Sequence, residues 1–311
     1  MITTVTTNTA LDVAAILDSL RVGGVNRSTE AAIHAGGKGV NVAKAANVLG
    51  GQVTATGFVG AGPIGASLKA ALDQAGVAHD FVELPGDTRV TFVLYELARQ
   101  TETIVNNPAG YEVTAADVAH LGDKVAQYAA QSTHVVFSGS LPTDCPPDTY
   151  RALIERAHEL GCRAVLDTSG PALAEGLRAA PFMVKPTRTE LETILERRLP
   201  TQDAIFDACA SVRDMGVEAV VVSLGREGAL AMFGRNRYVV QPVATEVVSA
   251  IGSGDAMVAG IVVALERGEQ PAEALAMGCA AATSSLRRYG AGLCVAEEVE
   301  AIRPRVTVEP V

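Results

Sequence analysis

The sequence predicts an α/β fold: one domain with a mainly parallel central sheet covered by helices on both faces, and a small β lid. Three observations carry this. Short β-branched runs alternate with longer runs of helical spacing, the pattern of a parallel sheet in a three-layer α/β/α arrangement. Polar residues and glycines gather where the strands end, which is where open parallel sheets bind ligands. Two stretches break the alternation and read as paired strands set into the domain. No repeat, low-complexity segment or linker divides the 311 residues, so 1–311 reads as a single domain.

Taken in order, the first strand is Ile2–Thr7, followed by NTALD (Asn8–Asp12). Asp12 stands where a carboxylate can take paired hydrogen bonds from sugar hydroxyls; Asn and Asp are also ordinary turn residues. Residues 13–35 read as a hairpin turning at Gly23-Gly24 and carrying Arg27. HAGGKGVNVAKAANVLG (His34–Gly50) is a glycine-rich turn opening a helix over 39–50. Gly36, Gly37 and Gly39 expose backbone N–H groups, Lys38 adds a cation, and Asn41 faces the same end. The turn lacks the G-x-x-x-x-G-K-[ST] spacing, so it suits a sugar, a phosphate or both, or serves only as a tight turn. A strand at Val53–Phe58 and a helix at 63–76 follow.

The second lid stretch is 87–107, with Arg89–Leu97 as its strand. The Arg89 guanidinium can bind phosphate bidentately and Arg27 can join it; a solvated surface charge is the alternative for each. The alternation resumes with helix 114–131, strand His134–Phe137 ending in Ser138-Gly139-Ser140, helix 147–160 and strand Ala164–Asp167. Strand Phe182–Val184 runs into Lys185 and a helix over 188–197, with Glu190 in its first turn. Glu190 is placed to hold a magnesium-bound water, since Mg²⁺ keeps several waters and takes few protein ligands. Helix 202–215 precedes strand Ala219–Ser223, which enters SLGREGA, where Gly225 and Gly228 make a turn fit to lie under a nucleotide. Helices 255–267 and 271–288 close the pattern.

The stretch VVSAIGSGDAMVAG (247–260) carries the chemistry. Gly252, Ser253 and Gly254 open a helix whose apolar positions are Met257, Val258, Ile261, Val262 and Leu265. A helix start presents unpaired N–H groups and positive potential, and glycines allow close approach, so the turn can take a phosphate. A carboxylate beside a phosphate site repels the ligand, unless Asp255 accepts the proton of a hydroxyl that attacks the phosphorus. The alternative is that Asp255 only caps the helix. A lid suits this chemistry, because water in the site would hydrolyse the phosphoryl donor.

Composition bounds the partners. Net charge is −10 and aromatics are 4% without Trp, which argues against nucleic acid and against an anionic membrane surface. No apolar run approaches a membrane span, and the N-terminus lacks a basic region followed by an apolar one. The five cysteines, Cys145, Cys162, Cys209, Cys279 and Cys294, show no metal-ligand spacing and read as free thiols of a cytoplasmic protein.

In series, NTALD, HAGGKGVNVAKA, DTRVTFVLYE, SGSLP, LDTSG, VKPTRTEL, SLGREGA and GSGDAMVAG resemble the ribokinase-like (PfkB) family of sugar kinases over nearly the whole chain. Within it they are most similar to the branch of 1-phosphofructokinase and tagatose-6-phosphate kinase. The resemblance implies a ribokinase-like sandwich, ATP and Mg²⁺ as cofactors, and a homodimer paired through the lid. It implies Asp255 as base, with Gly252, Ser253 and Gly254 as the anion hole. Asp12, Gly37 and Asn41 would bind the sugar; Lys38, Arg89, Ser140 and Arg27 would hold its phosphate. Lys185, Ser223, Gly225 and Gly228 would line the nucleotide site, and Glu190 would place the metal through water. Three departures stand out. Thr9 replaces the Pro of N-P-A-x-D, and Thr187 replaces the Asn of N-x-x-E. In T-R-x-N-x-K the Asn is Thr91 and the Lys is Val93, which removes one charged contact from the expected phosphate site.

The reading is an ATP-dependent kinase of a ketohexose phosphate, with fructose 1-phosphate as the first substrate. Tagatose 6-phosphate and fructose 6-phosphate are the alternatives. A sugar-phosphate sensor would have lost the base or the anion hole, and a nucleoside kinase would carry more aromatics.

Overall fold

The computed structural model describes residues 1–311. β1 (Ile2–Thr6) is buried at all five positions because it lies mid-sheet, covered on both faces. β2 (Ala10–Leu17) and β3 (Glu30–Gly36) leave that sheet and pair antiparallel. α1 (Lys38–Val48) starts directly after Gly37 and returns the chain to β4 (Val53–Gly60), parallel to β1. α2 (Pro63–Gln74) opens on a proline, whose missing N–H has no helical partner to lose. β5 (Ala78–His79) and β6 (Val82–Leu84) add short parallel pairings to β4. β7 (Arg89–Glu96) and β8 (Thr101–Asn106) form the second inserted pair.

α3 (Ala115–Ala129) begins with a capping box between Thr114 and Asp117. Then come β9 (His134–Ser138), α4 (Thr149–His158), β10 (Arg163–Asp167), α5 (Gly170–Leu177), β11 (Met183–Val184), α6 (Arg188–Ile194), α7 (Gln202–Arg213) and β12 (Ala219–Ser223). β13 (Ala229–Phe233) and β14 (Asn236–Gln241) run antiparallel at the sheet's edge. α8 (Ser253–Glu266), α9 (Pro271–Ser285) and α10 (Ala296–Ile302) follow, and β15 (Thr307–Pro310) pairs with β14.

The main sheet runs β15-β14-β13-β12-β11-β10-β9-β1-β4-β5, and it is parallel from β12 onward. One apolar layer packs residues of α1, α2, α8, α9 and α10 against one face; the other packs α3, α4, α5 and α7 against the opposite face. α8 and α9 approach through Gly260 and Gly278, where an added side chain would meet the other helix's backbone.

The lid is a separate four-stranded sheet, β3-β2-β7-β8, with β2 and β7 parallel. Its register stacks side chains in rows across the strands, since directly paired residues share a face. One row is His34, Asp12, Thr91 and Asn106; the next is Ala32, Ala14, Val93 and Ile104. Ala14, Ile16, Val93 and Tyr95 form a small apolar cluster against Ile251 and Tyr289 of the main body.

All seven expected strands, Arg89–Leu97 of the lid included, and eight expected helices exist, with ends shifted by a few residues. The lid starts at Ala10, so Asp12 lies on a lid strand rather than in a turn after β1. The stretch 13–35 is the expected hairpin, β2 and β3 pairing antiparallel, but β2 stops at Leu17 and β3 starts at Glu30, so the Gly23-Gly24 turn lies within a long connection. Two unexpected elements have reasons. ALAMF of β13 lacks β-branched residues and reads as well for a helix; pairing with β12 on one side and β14 on the other decided the strand. GPALAEGL of α5 carries two glycines and a proline, poor helix signals that burial of Leu173 and Leu177 outweighs.

Candidate active site

A single large cavity of about 1540 Å³ lies between the lid and the carboxyl ends of the parallel strands. Asp12, Gly37, Lys38, Asn41 and Arg89 line its lid end. Lys185, Ser223, Gly225 and Gly228 line the far end, and Gly252–Asp255 form the joint between the two.

Gly252 precedes α8 with φ of +76°, a left-handed conformation that glycine adopts without strain. A Cβ there would overlap the backbone nitrogen of Gly292, so the turn is packed as well as bent. Asp255 does not cap α8: its Oδ2 accepts the Asn41 amide at 2.9 Å, and no side chain caps that helix. Its carboxyl is 4% exposed. Burial pushes its pKa up to about 6; the cation of Lys38 opposes this, and the neighbouring Asp167 carboxylate adds to it. A buried carboxylate poised near neutrality beside a turn of free N–H groups has the properties of a general base at a phosphate site.

Asp167, at the end of β10, organises the cations. Its Oδ1 lies 3.2 Å from Lys38 Nζ and 3.4 Å from Lys185 Nζ. Burial works against its ionisation, yet Lys185 and Lys38 hold it below the usual carboxylate range. The same carboxylates raise Lys38 above the ordinary lysine value against the effect of burial. Lys185 is buried and reaches Gly254: a Cβ on that glycine would stand 3.2 Å from its Nζ. One buried carboxylate therefore ties two ammonium groups together, and that of Lys185 reaches the anion turn.

At the lid end, Arg89 donates through Nη1 to Thr91 Oγ1 at 3.2 Å and Asn106 Oδ1 at 3.1 Å. Asp12 sits beside Arg89 and Lys44; burial raises its pKa although both cations oppose this. Lys44 is itself buried, donating to the carbonyls of Ala35 at 2.6 Å and Ala291 at 3.3 Å. Burial lowers it to about 8, with Asp12 and Asp255 pulling it back up.

Thirteen of the expected site residues thus line one cavity, and three do not. Ser140 is exposed, its hydroxyl accepting the Asn8 amide at 3.2 Å. Arg27 is exposed in the connection between β2 and β3. Glu190 lies outside the lining and closes a capping box, with Oε2 accepting the Thr187 N–H at 2.7 Å and Thr187 Oγ1 accepting the Glu190 N–H at 3.2 Å. Sequence reasoning gave no role to Asp167, Lys44 or Asn106. Lys44 had a signal: it lies three residues after Asn41, on the same face of an otherwise apolar helix.

The fold and this site define a carbohydrate kinase, an enzyme that moves a phosphoryl group to a sugar hydroxyl. The chain matches the pfkB carbohydrate kinase family over residues 5–298 and belongs to it. It is 32% identical over 309 residues to the 1-phosphofructokinase of Escherichia coli K12, covering 99% of this chain and 98% of the relative. It is 36% identical to the 1-phosphofructokinase of Xanthomonas campestris pv. campestris over 266 residues, covering 84% of this chain and 83% of that one. Among solved structures it resembles phosphofructokinase-2 of Escherichia coli in complex with fructose-6-phosphate, with a TM-score of 0.90, 29% identity and 98% coverage of both chains.

Proposed function

We propose that this kinase phosphorylates a ketohexose phosphate, fructose 1-phosphate first, to give fructose 1,6-bisphosphate and ADP. The observation that carries the reading is Asp255, a buried carboxylate at the joint of the two cavity ends and beside the anion turn. The names of the two sequence relatives support the substrate.

In this reaction the sugar hydroxyl gives its proton to Asp255 as its oxygen bonds to the γ-phosphorus. The bond from phosphorus to the β-phosphate oxygen breaks, and ADP leaves with that electron pair. The N–H groups of Gly252–Gly254 and the ammonium of Lys185 stabilise charge on the equatorial oxygens. Lys38 and Arg89 attract the sugar's phosphate, and Asp12 and Asn41 orient its hydroxyls. Ser223, Gly225 and Gly228 form the floor under ATP.

The structure gathers no group of three carboxylate, histidine or cysteine side chains that could hold a metal ion. Asp167 is taken up by Lys38 and Lys185, and Glu190 is engaged in the capping box with Thr187. A magnesium ion would have few direct protein ligands here; Glu190, through water, would be its protein contact, and the ion when bound would neutralise charge on the nucleotide phosphates.

The fructose-6-phosphate complex of the solved relative favours fructose 6-phosphate as a second reading. A coupled ADP-release assay with Mg-ATP and a panel of fructose 1-phosphate, fructose 6-phosphate, tagatose 6-phosphate, fructose, tagatose and ribose separates the two. The expected preference is for fructose 1-phosphate. Preference for a 6-phosphate promotes the second reading, and activity on free sugars alone ends both.

The lid's outer face supports a homodimer: Ile33 is 63% exposed, Phe92 40% and Val105 45%, on a sheet too thin to bury them alone. Light scattering should give about twice the 32.1 kDa chain mass. A monomer at micromolar concentration rejects the pairing.

A further inference from the structure

We infer that Asn106, on the outer strand of the lid, is a substrate-contacting specificity residue: its amide Nδ2 donates to the phosphate that the sugar already carries. The inference rests on the ketohexose-phosphate reading above and names a contact that reading lacks.

Three observations support it. Asn106 pairs with Thr91 across β7 and β8, so it ends the polar row that begins at His34 and contains Asp12. It lines the cavity at the lid end beside Arg89. Its orientation is chemically determined. Arg89 Nη1 approaches one terminal atom of the amide at 3.1 Å, and a guanidinium only donates, so that atom is the carbonyl oxygen. Thr91 Oγ1 donates to the same oxygen at 3.3 Å. The Nδ2 group, with two N–H donors, has no hydrogen-bond partner in the protein and remains for a ligand. A guanidinium and an amide tied by a hydrogen bond make a donor pair for a single anionic group.

The neighbouring row explains why no second cation stands there. Val93 and Ile104 belong to the apolar row, and Val93 is 5% exposed in the cluster that packs on Ile251, next to Gly252. Position 93 closes the lid onto the anion turn. The amide expected at position 91 stands one strand over, at 106.

The test compares Asn106→Ala with Asn106→Asp in the full-length enzyme, reading KM for fructose 1-phosphate, KM for ATP and kcat. Asp keeps an oxygen for Arg89 and Thr91 but removes the donor and adds a negative charge. If Asn106 meets the phosphate, the alanine variant raises the sugar-phosphate KM about tenfold. The aspartate variant then raises it further, with KM for ATP and kcat within about twofold of wild type. If Asn106 only steadies Arg89, the aspartate variant, which keeps the acceptor for Arg89, raises the KM less than the alanine variant does, and the inference is overturned. An equal rise in both substrates' KM also overturns it, because that marks a general loss of lid docking. Wild-type turnover of free sugars with none of phosphosugars overturns the parent reading and this one together; normal phosphosugar turnover insensitive to Asn106→Asp overturns this one alone.

Discussion

α8 and β8 face each other across one cavity and are built in opposite ways. α8 carries ten consecutive buried residues, Asp255–Ala264, in the layer it shares with α1 and α9. β8 is exposed at all six positions and belongs to a lid whose own apolar cluster is four residues. The proposed proton acceptor thus sits on a helix buried over ten consecutive residues, and the proposed sugar-phosphate contact on a strand exposed throughout. A base must hold its geometry and its desolvated carboxylate through every turnover, which needs dense packing. A substrate gate must open, which needs a region with few apolar contacts and little local stability. Beyond the Lys44 bond to the Ala35 carbonyl at its base, the lid has these polar ties to the helix-bearing body. Tyr95 Oη meets Ser249 Oγ at 3.5 Å and accepts the Gly290 N–H at 3.3 Å, and Glu102 accepts the Ala250 N–H at 3.3 Å.

The contrast makes the two regions separable by experiment. The largest effect belongs to the core. Asp255→Asn should cut kcat by about a hundred- to ten-thousandfold while ATP still binds with near wild-type affinity. Turnover within a few-fold of wild type would remove Asp255 from the role of base. In the wild-type enzyme, kcat/KM should fall as pH drops below about 6, the value to which burial raises this carboxyl. A flat profile between pH 5 and 7 would show that the group titrates elsewhere.

A smaller effect concerns stability. With its folded pKa raised from 3.8 to about 6, the carboxyl's stabilising contribution is complete below the lower value and lost above the upper. Ionised Asp255 therefore costs stability at neutral pH. Asp255→Asn should raise Tm by a few degrees at pH 8, a gain that shrinks toward pH 4. A lower Tm at pH 8 would mean that Lys38 and the Asn41 amide more than compensate the buried charge.

The smallest expected effect is in the lid. Tyr95→Phe keeps the ring against Tyr289, 4.5 Å away between centroids, and deletes only the hydroxyl. It should raise the sugar-substrate KM by about two- to tenfold and speed proteolysis of the lid, with kcat nearly unchanged. An unchanged KM and an unchanged cleavage rate would show that the apolar contacts alone seat the lid.

Much of this was legible along the chain because it is local. Strand–helix alternation is a matter of period, and the turns at Gly37 and Gly252 declare themselves by glycine followed by a helical run. Lys38, Asn41, Lys185 and Asp255 stand within a few residues of such turns, so each could be found without knowing its neighbours. Ser140 and Glu190 also follow strand ends but stand outside the cavity lining, since nearness to a strand end does not set which way a side chain points. β13–β14 escaped notice because ALAMF has no periodic signal of its own.

By itself, then, the sequence determined the layered fold, the presence of a lid, the anion turn and its acid, for these follow from residue type and spacing over short distances. Tertiary structure alone decided that Asp167 joins Lys38 to Lys185 and that Asn41 holds Asp255. It also decided that Lys44 is buried on two backbone carbonyls and that Asn106 stands beside Arg89. The paired side chains lie up to 214 residues apart in the chain. Their pairings are set by strand order and lid register, and their charges by burial, neither of which a local pattern of residues encodes.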